Sequence, residues 1–321
     1  MIRRSSYAML CALAALGAAT PAASADGLPV MGVDAGGSGV ADPAGAERYV
    51  TVPAAGRTVV AAVQRNGGRI TRSGLLRGRF TIPAVALDGS SSGLSADGQT
   101  LVLIRPRARF PQARTTLAII DPRRLRARRF LHLRGDFSFD ALSPDGRSLY
   151  LIQYVSPRDA TRYVVRAYDV PSGHLARDPV IDPREPGERM RGFPVTRATS
   201  ADGRWAYTLY DGGGRHPFVH ALDTVARTAA CIDLDALAGR KDIYGLDLAL
   251  DPGRKTLTVV ARGQGLVAID TRTFRVEQVT SRDESTGGEL VRAPILLLAL
   301  GASLAVGGSL LVRRRRRLAH S

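Results

Sequence analysis

"DALSPDGRSLYLIQY", residues 140–154, is the stretch on which the fold turns. Pro144 presets φ, Asp145 tolerates the next corner and Gly146 supplies φ > 0, so the segment reads as a tight turn feeding an alternating strand. Near copies recur: "GLSADGQTLVLI" at 93–104, "ATSADGRWAYTL" at 198–209, a degraded "ALDPGRKTLTVV" at 249–260 and a weaker "GVADPAGAERYV" at 39–50. A strand ending in Asp follows each of the later turns, at Asp121, Asp169, Asp223 and Asp270, and Gln64 takes that place in the front unit.

One more turn and one more strand come next, so each unit holds four short strands. A single four-stranded meander cannot bury both faces, whereas copies stacked around an axis can. A four-strand repeat of about 40–50 residues is the pattern of a propeller blade. The chain is therefore expected to be all-β, with residues 39–280 forming a β-propeller of about five four-stranded blades, or six if the front segment and the long insertions hide another. Asp97, Asp145 and Asp202 become turn residues rather than catalytic acids.

The turn sequence resembles the S-P-D-G-[RK]-x-[LI]-[YV] repeat of bacterial exported WD40-like propellers of the TolB, YVTN and PD40 type. The resemblance implies that the innermost strand of each blade comes first and that the turn after it lies on one face. The loops joining strands two and three, and those joining successive blades, would lie on the opposite face. Here those loops are 105–114, 156–162, 211–217 and 262–265, then 134–136, 182–194 and 235–245. Long loops on a rigid scaffold commonly carry function. The resemblance implies no particular activity, because this fold hosts many.

The two ends are unlike the middle. Arg3 and Arg4, the apolar run Ala8–Ala19 and Ala23-Ser24-Ala25 mark residues 1–25 as a signal peptide. Residues 26–38 form an N-terminal arm and 281–293 a linker. Pro294–Val312 is uncharged over 19 residues, and at ~1.5 Å per residue a helix of that length roughly spans the ~30 Å hydrocarbon core. Arg313–Arg317 then hold the tail, 313–321, in the cytoplasm. The expectation is a single-pass protein of the cytoplasmic membrane, its transmembrane helix C-terminal and its N-terminal domain outside. Cys11 leaves with the leader, so Cys231 is the one remaining thiol and no internal disulfide forms. Its place in "TAACIDL" suggests a buried strand residue.

Two of the 45 basic residues lie in the leader and five in the tail, leaving 38 against 29 acidic residues. Residues 105–134 hold ten arginines and one acid, Asp121. Guanidinium forks suit phosphate and carboxylate, and outside a cell those belong to lipid headgroups, envelope polymers and acidic proteins. Nucleic acid is not expected, since the patch lacks interleaved aromatics. Candidate ligand-binding residues on the loop face are Arg105, Arg107, Arg109, Arg114, Arg158, Arg162, Arg184, Arg189, Arg215 and His216. His216 and His220 straddle a loop and a strand, so no metal site is assigned, and no cofactor is implied. "SADGRW" lacks a residue of the sialidase box, and no nucleophile elbow, P-loop or dinucleotide fingerprint occurs. The pattern favours a binding protein that takes a protein or an anionic envelope component; the alternative is a lactonase-like or other hydrolase acting at the propeller axis.

Overall fold

The computed structural model describes residues 39–279 except 43–44, 188, 215, 252 and 254. The expected signal peptide, arm, linker, membrane helix and tail lie outside the described residues. Among those described, no helix is long and apolar enough to cross a membrane.

The repeated turn has one geometry in three places. Ser143 Oγ donates to Asp145 Oδ1 at 2.6 Å and accepts the Ser148 N–H at 2.8 Å, while Asp145 also takes the Arg147 N–H at 3.0 Å. Ser95 with Asp97 and Ser200 with Asp202 repeat this, both at 2.6 Å. The glycine that follows is left-handed each time, with φ of 65° at Gly98, 69° at Gly146 and 72° at Gly203. These acids hold turns, in agreement with the sequence reading.

The strand-ending Asp has its own task. Asp223 accepts the N–H groups of Val225 and Ala226, both at 2.9 Å, and Asp121 and Asp270 cap their turns in the same way. The fourth residue beyond each Asp returns its N–H to that Asp's carbonyl: Leu125 at 2.7 Å, Gly173 at 2.8 Å, Arg227 at 3.0 Å and Phe274 at 2.8 Å. All four have positive φ.

Five antiparallel sheets result. The first is β1 (Val40–Ala41), β2 (Glu47–Ala54), β3 (Arg57–Gln64) and β4 (Ile70–Arg77). The second is β5 (Leu101–Ile104), β6 (Arg114–Asp121) and β7 (Arg126–Arg134). The third is β8 (Phe137–Leu142), β9 (Ser148–Tyr154), β10 (Tyr163–Asp169) and β11 (His174–Val180). β12 (Pro194–Thr199), β13 (Trp205–Tyr210), β14 (Phe218–Asp223) and β15 (Thr228–Asp233) make the fourth. β16 (Leu246–Asp251), β17 (Thr256–Ala261), β18 (Gln264–Asp270) and β19 (Val276–Gln278) make the fifth. Strand order follows chain order within every sheet, which is the blade pattern of a β-propeller.

Blade two departs from the expected four strands. Its innermost position is held only by single bridges, Leu94 opposite Leu101 and Thr81 opposite Ile104. The "DGSSSG" run at 88–93 is poor in strand-forming residues. The chain folds there into a hairpin instead, with Val85 N–H on Ser90 O at 2.8 Å and Ser92 N–H on Pro83 O at 3.0 Å. Its tip crosses to the innermost strand of blade four, where Leu87 N–H meets Pro194 O at 3.0 Å and Asp88 N–H meets Val195 O at 3.2 Å. Ser91 Oγ ties the same hairpin to Gly39 O of blade one at 2.7 Å. Val85 packs with Phe137 and Phe139 of blade three. The hairpin therefore lies across the inner strands of blades one, three and four.

Strand alternation sorts side chains between the two faces of each blade. In β14, Val219 and Ala221 join the cluster shared with blade five, while Phe218 and Leu222 join the one shared with blade three. Four clusters fill the four junctions between successive blades. Each fully buried Leu, Ile or Phe in them contributes about 1.5–3 kcal/mol. All cluster residues fall between Val40 and Val276, and the compact unit holding them ends at Thr280, so the propeller contains its own cores.

Candidate functional site

Hydrogen bonds bring the two expected loop sets together on one face. Arg107 Nη2 lies 2.5 Å from Asp136 Oδ1, joining 105–114 to 134–136. Asp211 takes the Phe193 N–H at 2.7 Å and the Tyr244 hydroxyl at 2.5 Å, joining 211–217 to both 182–194 and 235–245. The repeated turns meet elsewhere: Asp97 N–H donates to Pro144 O at 3.0 Å.

The candidate arginines have separate fates. The Arg107 side chain is buried: it ion-pairs with Asp136, stacks 4.7 Å above the Tyr154 ring and is a structural strut. Arg105 is exposed and lies 5.7 Å over Phe80. Arg184 is half exposed and committed to Asp182, with a further bond to Cys231 O at 3.2 Å. Burial alone would raise the Asp182 carboxyl. The Arg184 side chain and the N–H groups of Cys231 and Arg184 outweigh it and hold the group down at about 2. His216 pairs with Asp235 at 3.1 Å. Arg215 lies outside the described residues. Arg109, Arg114, Arg158, Arg162 and Arg189 are exposed.

Of these, Arg162 and Arg189 converge on the same feature, a cavity of about 350 Å³ between blades three and four. Arg191, which the sequence reading did not select, joins them there. The 182–191 loop forms one wall, β10 and β11 another, and His220 of β14 with Cys231 of β15 the far side. His220 and Cys231 are directly opposite across the β14–β15 ladder, so their side chains share the face turned to blade three. Cys231 is half-buried rather than buried as expected, because the cavity opens beside it. The turn capped by Asp223 sets the pair Asp223–Thr228, but only the unbroken ladder of β14 and β15 carries that register back to His220 and Cys231, since the like-capped turns of blades two and three are followed by a bulge.

His220 is 1 % exposed. Burial pulls its imidazole down to about 4, with Asp140 opposing and Arg197 reinforcing the shift, so the ring is neutral at physiological pH. Arg197 and Asp140 form a buried ion pair between the inner strands of blades four and three. Among the described residues, no group of three His, Cys, Asp or Glu side chains is placed to share a metal ion.

No family model matches the chain, and no curated protein matches it. Solved structures resemble it at low identity. TolB from Acinetobacter baumannii is 13% identical with a TM-score of 0.35, over 74% of this chain and 58% of that one. A putative 6-phosphogluconolactonase from Bacteroides uniformis is 17% identical with a TM-score of 0.41, over 73% and 67%. The β-propeller domain of Cps50 (Swd1) from Myceliophteria thermophila is 12% identical with a TM-score of 0.37, over 75% and 72%. The propeller assignment rests on the five sheets themselves.

Proposed function

We propose that this protein is a membrane-anchored, extracytoplasmic β-propeller that binds a protein or an anionic envelope component through its loop-rich face. The observation that carries this reading is the gathering of exposed arginines on loops that the scaffold holds together. Arg109, Arg158, Arg162, Arg189 and Arg191 all stand out from that loop system. Arg107 and Arg184, by contrast, brace it internally. Guanidinium groups without an internal partner suit carboxylate and phosphate. The hairpin at 83–92 lies across inner strands near the axis, which supports a surface-binding role over hydrolysis in an axial channel.

The test uses residues 26–280 on immobilised poly-L-glutamate, with poly-L-lysine as control. Retention on polyglutamate that falls with salt, and falls again in Arg109→Glu/Arg158→Glu, is the expected result. Equal retention of both proteins, or turnover of simple esters and lactones by the purified domain, contradicts the reading. Membrane topology is checked on the full chain in spheroplasts, where protease added outside should digest the propeller.

A further inference from the structure

The cavity between blades three and four combines three features that a purely structural gap does not need. The first is His220, whose ring meets Tyr210 edge-on at 6.4 Å and whose nitrogens make no hydrogen bond to a described residue. A buried polar group is normally paired, and one left facing a cavity calls for a partner from outside the chain. The second is the apolar lining. Val165, Val180 and Met190 lie within, and Val155 and Ile181 stand 53% and 40% exposed. The third is the rim, where Arg162, Arg189 and Arg191 are exposed and form no ion pair with a described residue.

The acids nearby offset that rim only in part. Asp182 is neutralised by Arg184. Asp159, held by Thr161 at 2.6 Å from hydroxyl and 2.9 Å from N–H, keeps its charge and acts on Arg162 and Arg191. Glu185 is the one remaining acid that lines the cavity among the described residues, so three guanidinium groups face two carboxylates. An arginine rim alone would suit a bare anion, and an apolar wall alone would suit an uncharged oil. The two together, above a neutral imidazole, suit a molecule that has both parts. At about 350 Å³ the space sits near the lower end of the ~300–1,000 Å³ typical of small-ligand sites.

We propose that this cavity binds a small amphipathic anion, with its phosphate or carboxylate head at Arg162, Arg189 and Arg191 and its apolar chain running past Val155, Val165 and Val180 toward His220. The proposal rests on the reading of this face as a binding surface and names the ligand class for one part of it.

The experiment is titration calorimetry of residues 26–280 with octyl phosphate, 1-octanol and inorganic phosphate. Octyl phosphate binds with 1:1 stoichiometry, and the other two bind at least tenfold more weakly. Arg189→Glu, an exposed position, weakens octyl phosphate at least tenfold. Cys231→Phe, which fills the far side of the cavity, abolishes its binding while the thermal melt stays cooperative. Cys231→Phe, which alters no arginine of the binding face, keeps its retention on polyglutamate, which separates failure of this proposal from failure of the general binding reading. Inorganic phosphate binding as tightly as octyl phosphate, octanol binding equally well, or an undiminished affinity in folded Cys231→Phe would each overturn it. If Cys231→Phe does not fold, Arg189→Glu decides: unchanged octyl phosphate affinity there refutes the assignment.

Discussion

Arg107 separates a ligand-binding arginine from a structural one, and its replacement by Met measures the difference. The guanidinium side chain is 7% exposed and its partner carboxylate 3%. Nε and Nη2 both bond Asp136 Oδ1, at 3.0 and 2.5 Å, and the group lies 4.7 Å above Tyr154. Removing one member of a buried ion pair strands the other, at a cost of about 3–5 kcal/mol. Asp136 keeps one bond, from Gln112 N–H at 2.8 Å, which places Arg107→Met toward the lower limit, about 3 kcal/mol. Loss of the stacking on Tyr154 adds about 1 kcal/mol. Urea unfolding of residues 26–280 at pH 7 should therefore show a loss of about 3–4 kcal/mol with an unchanged slope. Adding Asp136→Asn to Arg107→Met removes the stranded charge and should recover part of that loss. A single-variant loss under ~1 kcal/mol would mean that the pair behaves as a solvated surface pair and that Arg107 remains available to a ligand. A double variant less stable than Arg107→Met would refute the electrostatic explanation.

Two further outcomes follow from the geometry. Lys255 is exposed yet holds φ = 55°. Lys255→Gly should stabilise by about 1 kcal/mol by relieving the left-handed strain, read as a melting temperature about 2–4 °C higher; an unchanged or lower midpoint contradicts this. For His220, the folded imidazole titrates near 4 against an ordinary 6.5. Between those values the unfolded chain binds a proton that the folded one refuses, so stability falls as pH drops from about 6.5 to 4, by up to about 3 kcal/mol. Asp182, titrating near 2, loses its contribution mostly below that window. Urea midpoints at pH 7 and pH 5 should draw together in His220→Asn; an unaltered pH dependence in that variant would rule out His220 as the source.

Ser143, Asp145 and Gly146 specify their turn through contacts no more than five residues apart. Repetition of that local chemistry, together with the Asp that caps the next turn, was enough to read the blades, their strand order and the structural role of Asp97, Asp145 and Asp202. Blade two was not legible in this way, because its inner strand yields to a hairpin whose partners, Pro194, Val195 and Gly39, are distant in sequence. The arginines divide along the same line. Composition showed that 105–114 and 182–194 are rich in guanidinium groups. Whether one is a strut like Arg107 or a rim residue like Arg189 depends on which carboxylate or ring the packing of blades brings beside it. Turn and strand identity is encoded within a few residues. The cavity that joins Arg162, Arg189, His220 and Cys231 exists only once blade three has docked on blade four, since burial and charge pairing are properties of neighbours in space.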